Sequence, residues 1–121
     1  MQVSDAEAQV MEVLWQGHPR GADEVIAALA GTGWAEPTVK TLLNRLLNKG
    51  AIAARKDGRR YLYTPLLDRE RWVQQQSEGL LRRLFGGRVA PLVAHFSEHG
   101  KLSAADVAEL KRLVSELDDE P

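Results

Sequence analysis

The sequence predicts a mainly α protein with a small β-hairpin, in which three short helices are closed by the hairpin and followed by a helical tail. Three observations predict it. Apolar residues recur at helical spacing in three segments before residue 50, the period shifts to that of strands just after Gly50, and helical spacing returns from about Asp68.

The first helix opens at Ser4, which stands three residues before Glu7 in the spacing of a capping box. Val10, Met11, Leu14 and Trp15 form its apolar face, and it ends near Gly17. His18-Pro19-Arg20-Gly21 then breaks the chain. Val25, Ile26 and Leu29 mark a second short helix, which stops around the GTG of residues 31–33.

The third helix is the most informative. Val39, Leu42, Leu43, Leu46 and Leu47 fall at i, i+3, i+4, i+7 and i+8, one apolar stripe on an α-helix. The other side carries Thr38, Lys40, Thr41, Asn44, Arg45, Asn48 and Lys49, with no acid after Glu36. Such a face presents hydrogen-bonding and cationic groups outward and suits an acidic partner. Pro37 favours the helix start and Gly50 its end. AIAARKDGRRYLYTP then reads as two strands joined at Asp57-Gly58, a dipeptide preferred in tight hairpins.

Three helices, the last of them basic, and then a basic-tipped hairpin is the element order of a winged helix-turn-helix domain. In that geometry Thr38, Lys40, Thr41, Asn44 and Arg45 read bases, while Lys49 and the wing residues Arg55, Lys56, Arg59 and Arg60 contact phosphates. The formal net charge of −1 does not oppose this reading. Between Glu36 and Arg60 seven cations face two acids, a local balance of +5, and local charge is what neutralises phosphates.

This winged-helix domain is expected to span residues 1–66, and residues 67–121 to form a helical dimerisation region. Apolar faces recur in that tail around Trp72, Leu80 and Leu84, then Val89, Leu92, Val93 and Phe96, then Leu110, Leu113 and Leu117. Some fifty residues are too few to bury these faces well, so a second copy is expected to cover them. Ser103 and Asp106 resemble a capping box at the start of the last helix. The DDEP end is expected to be a frayed terminus.

Composition excludes other classes. Hydrophobic residues make up 44% and charged residues 27% of the 121-residue chain, the proportions of a globular domain, and no apolar run is long enough to span a bilayer. There is no cysteine, which rules out disulfides and thiol chemistry. The first residues lack the pattern of a secretion signal, so a cytoplasmic location without membrane association is expected. No nucleophile, acid pair or phosphate loop has a catalytic context, so no enzyme activity and no cofactor are expected.

WAEPTVKTLLNRLLNKGAI resembles the signature of the BlaI/MecI penicillinase-repressor family, through Trp34, Thr38, Val39, Thr41, Leu42, Leu43, Arg45, Leu46, Lys49 and Gly50. SDAEAQVMEVLW and LVAHFSEHGKLSAADVAELKRL are similar to the family's first helix and C-terminal region, so the resemblance covers nearly the whole chain. It implies a homodimeric repressor on a double-stranded inverted-repeat operator of the TACA and TGTA type, controlling β-lactamase or other antibiotic-resistance genes. It also implies a sensor-protease, or a protease that it activates, cutting near His95-Phe96. The family's bond there is Asn-Phe, and His95 replaces the Asn. Ala35 replaces a helix-capping serine, and the cysteine pairs of copper-responsive relatives are missing. Two other readings stay open: a winged-helix module for protein-protein assembly, and a metal-responsive repressor in which His95 and His99, spaced i and i+4, bind zinc with a further ligand.

Overall fold

The computed structural model describes residues 1–119 and divides into two compact units, Met1–Val73 and Gln74–Pro121. In the first, α1 (Asp5–Gln16), α2 (Ala22–Ala28) and α3 (Glu36–Lys49) surround a core that the strands β2 (Ile52–Asp57) and β3 (Arg60–Pro65) close at one side. This is a winged helix. A two-residue strand, β1 (Arg20–Gly21), pairs antiparallel with β3, giving a sheet of order β1-β3-β2. The segment expected only to break the chain thus also anchors the wing, through the Arg20–Tyr63 and Gly21–Leu62 pairs.

Local chemistry explains the element ends. Ser4 and Glu7 form the expected capping box, with Ser4 Oγ accepting the Glu7 N–H at 3.1 Å and Glu7 Oε1 accepting the Ser4 N–H at 2.9 Å. Gly50 ends α3 in the left-handed region at φ 76°, and the Ala51 N–H donates to the Leu46 carbonyl at 3.0 Å. The core consists chiefly of Val10, Met11 and Leu14 from α1, Val25 from α2, Val39, Leu43 and Leu46 from α3, and Ile52 from β2. Trp34 packs against this core from its position before α3, as a staple would.

One expectation requires correction. The hairpin loop is Gly58–Arg59, one residue later than expected, because Asp57 pairs with Arg60 across the strands. Gly58 takes φ 62° while Arg59 and the other described non-glycine residues have no positive φ, so only the first loop position needs glycine, as in a type II′ turn. The winged-helix domain is expected to end at residue 66, and the contacts of the first compact unit run on beyond that residue. The first unit continues to Val73 because Trp15 needs partners from that stretch: its Nε1 donates to the Leu67 carbonyl at 2.8 Å, and its ring lies 5.6 Å from that of Trp72. Arg69 adds an ion pair to Glu12 at 3.0 Å. Trp72, expected among the dimerisation residues, is therefore engaged within the winged domain.

The second unit contains most of α4 (Arg69–Phe85), then α5 (Val89–Glu98) and α6 (Ala104–Asp118). Ser103 and Asp106 cap α6 reciprocally. None of the described residues from 74 onward is buried, so this unit has no core of its own. The end of the DDEP segment lies outside the described residues.

A fragment ending at Leu66 loses the Trp15 hydrogen-bond acceptor and the Trp72 ring. It is expected to be about 2–4 kcal/mol less stable than one ending at Val73. Urea denaturation of the two fragments checks this, and equal midpoints would show that the stretch after Leu66 adds nothing to the first unit.

Candidate nucleic-acid interface

Burial of the apolar stripe dictates which side of α3 meets solvent. Val39, Leu42, Leu43 and Leu46 are buried, and Thr38, Lys40, Thr41, Asn44, Arg45 and Asn48 are exposed. Thr41, Asn44 and Asn48, at i, i+3 and i+7, form the middle of the exposed ridge. Asn48 is absent from the sequence-derived base-reading set, although its spacing from Thr41 and Asn44 signals it. On one flank Thr38, Thr41 and Arg45 share a shallow groove with Pro37 and Leu42. On the other, Lys40 shares a concavity with Asp23 of α2 and with Arg60, Tyr61 and Tyr63 of β3.

Ala35 gives α3 no side-chain cap, yet the helix forms with Pro37 in its first turn and Glu36 near its positive end. Thr41 Oγ1 donates to the Pro37 carbonyl at 2.9 Å, which leaves its hydroxyl as an outward acceptor.

The cations divide into two groups. Among the described residues, Lys40, Arg45, Arg55, Lys56 and Arg59 make no ion pair. Arg55 pairs with Leu62 and Lys56 with Tyr61 across the hairpin, so these two neighbours project from opposite faces of the wing, with Arg59 in the loop at its tip. Arg60 instead reaches Glu24 at 3.3 Å and Asp23 at 3.7 Å. Both of its partners are exposed, so this attachment is worth about 0–1 kcal/mol and can yield to a phosphate.

Lys49, expected to contact phosphate, differs more sharply. Its ammonium meets Glu7 Oε1 at 2.6 Å and donates to the Gln2 carbonyl at 2.8 Å. Glu7 is 2% exposed, and its other oxygen is buried without a partner among the described residues. Burial alone would raise the Glu7 pKa. The hydrogen bonds from Lys49 and Ser4, with the Lys49 charge, outweigh burial and hold the carboxyl below the ordinary carboxylate range.

In the second unit, the rings of His95 and His99 lie 4.4 Å apart, and His99 Nδ1 is 2.8 Å from the His95 carbonyl oxygen. Among the described residues no third ligand joins them to make a metal-binding group. The His95–Phe96 bond lies inside α5.

Known proteins share this architecture and its sequence. Residues 3–116 match the family model described as penicillinase repressor. The chain belongs to the penicillinase repressor family. It is 36% identical to the penicillinase repressor of Bacillus licheniformis over 116 residues, which covers 95% of this chain and 91% of that one. It is 27% identical to the methicillin resistance regulatory protein MecI of Mammaliicoccus sciuri, covering 94% of each. Among solved structures it resembles the DNA-binding domain of the repressor BlaI, with 43% identity, TM-score 0.53 and coverage of 56% of this chain and 84% of that one. It also resembles monomeric Bacillus licheniformis BlaI in complex with the blaP half-operator, with 42% identity, TM-score 0.52 and coverage of 58% and 87%. Both likenesses cover little more than half of this chain, the share that a winged domain alone occupies.

The depressed Glu7 pKa links folding to pH. The contribution of the charged carboxylate is complete above its unfolded pKa and is lost as pH falls through the lower folded value. Glu7→Gln is therefore expected to be about 1–3 kcal/mol less stable than wild type at pH 7. Denaturation at stepped pH should show the gap closing through and below the carboxylate range; a gap independent of pH would contradict the assignment.

Proposed function

We propose that this protein is a sequence-specific, DNA-binding transcriptional repressor that acts on resistance genes as a homodimer. The observation that carries the reading is the outward face of α3, polar and exposed, whose Lys40 and Arg45 make no ion pair among the described residues, beside a wing that offers Arg55, Lys56 and Arg59. Thr41, Asn44 and Asn48 would read base edges in the major groove, joined by Arg45, Thr38 and Lys40 at its margins. The free wing cations would contact phosphates, and Arg60 could exchange its exposed acids for another. Two copies on an inverted repeat double the base-reading surface and gain from effective concentration. Such a target calls for a cytoplasmic location; among the described residues no helix is long and apolar enough to cross a membrane.

Dimerisation through the second unit is supported by the lack of buried residues among those described in it and by the exposure of Leu84, Val89, Phe96, Leu113 and Leu117. A sensor-protease, or a protease that it activates, is the proposed releasing partner. Because His95–Phe96 is helical, cleavage there requires α5 to open locally.

Anisotropy titration against a TACA and TGTA inverted repeat, beside a scrambled duplex, tests DNA recognition. Arg45→Ala is expected to lose about 1–3 kcal/mol on the repeat with unchanged thermal unfolding. Lys56→Ala should weaken both duplexes alike and make the slope of log K against log salt about 0.9 shallower. Retained affinity in Arg45→Ala would remove that residue from the interface.

Leu117→Asp is expected to shift the protein toward monomer in sedimentation equilibrium and to weaken binding to the full repeat more than to a half-site. A dimer unaffected by this change would place the interface elsewhere.

A further inference from the structure

Glu7 is the buried charged residue among the described residues, and it lies on α1 rather than on the outward face of α3. A capping box accounts for its bond to Ser4. It does not account for Lys49, which comes from 42 positions along the chain to share the same carboxylate oxygen at 2.6 Å. Lys49 is the last residue of α3, and its second bond, to the Gln2 carbonyl, also ties it to the N-terminal segment.

The other attachments of α3 to this core are largely apolar. Hydrophobic contact is non-directional, so it keeps Val39, Leu42, Leu43 and Leu46 out of water without strictly fixing the roll or tilt of the helix. A charge-assisted hydrogen bond to a carboxylate that is itself held by Ser4 is short and directional. The Glu7–Lys49 pair adds that constraint at the C-terminal end of α3, one residue beyond Asn48.

We propose that Glu7 is a positioning residue for DNA recognition: acting through Lys49, it sets the angle at which α3 presents Thr41, Asn44 and Asn48, and Lys49 itself makes no phosphate contact. The proposal rests on the reading of α3 as the base-reading helix.

The test uses the full chain and a duplex that wild type selects from random sequence, with a scrambled duplex beside it. Wild type, Glu7→Gln, Lys49→Met, Lys49→Arg and the double Glu7→Gln/Lys49→Met variant are titrated over a salt series. Glu7→Gln is expected to bind the selected duplex about tenfold more weakly. It removes a negative charge, so binding to the scrambled duplex should stay equal or tighten. Lys49→Met should lose a similar factor with an unchanged salt slope, Lys49→Arg should retain most of the affinity, and the double variant should be no weaker than either single variant.

Wild-type affinity in Glu7→Gln, losses that multiply in the double variant, or a salt slope about 0.9 shallower in Lys49→Met would each overturn the proposal. A selection that returns no sequence preference would defeat the reading of α3 and this proposal with it. If circular dichroism shows either single variant unfolded at the assay temperature, the double variant, which leaves no unpaired buried charge, and Lys49→Arg, which keeps a cation on the carboxylate, decide the matter by affinity and salt slope.

Discussion

Val39, Leu42, Leu43 and Leu46 can leave water only if α3 lies with that stripe against α1, α2 and the root of the wing. The same rotation turns Thr41, Asn44 and Asn48 outward. Core formation and display of the recognition surface are therefore one event, and a sequence change that shifted the stripe by one residue would rotate the polar ridge by about 100° as well. The wing depends on the same packing. Ile52 is buried in the core, and β1 pairs with the outer edge of β3, so the hairpin carrying Arg55, Lys56 and Arg59 is braced at its base.

The cations show how position decides the role of a charge. Lys49 lies where α3 passes the N-terminal segment, and a buried carboxylate left unpaired there would be costly, so its ammonium is drawn inward. Arg60 lies at the wing base beside the acidic first turn of α2 and makes weak, solvent-screened contacts. Lys40, Arg45, Arg55, Lys56 and Arg59 make no ion pair among the described residues, and it is they that give the face its field. The local excess of positive charge is real, but fewer groups are free to deliver it than a count along the chain suggests.

Elements whose signal is local are legible in the sequence. The α3 stripe, the Ser4 and Ser103 caps and the Gly50 terminus each need only a few consecutive residues, and each is where its pattern predicts. What depends on distant partners is not legible. Two residues cannot display a strand period, so β1 is visible only once β3 is beside it. Lys49 reads as one more cation on a basic helix until Glu7 is brought to it by the fold. Trp72 falls in step with the apolar face of the tail, and only its contact with Trp15 assigns it to the first unit. The hairpin turn is displaced by one residue because the Asp57–Arg60 pairing selects a loop with glycine first rather than second.

The second unit poses the complementary problem. Ser103 caps α6 and glycines separate the helices, so local signals mark where they begin and end, yet none of its described residues is buried. Isolated helices of 10 to 17 residues are marginal in water, and their stability in proteins comes from packing an apolar face. In the proposed homodimer such a tail would acquire that packing by association, and its order would then depend on protein concentration. The winged unit, with a closed core, carries no such dependence. In the proposed homodimer this division would let the surface of α3 be rigid while the element joining the two copies is the weaker part, and anything that opened that part would reduce avidity without disturbing the geometry of either α3.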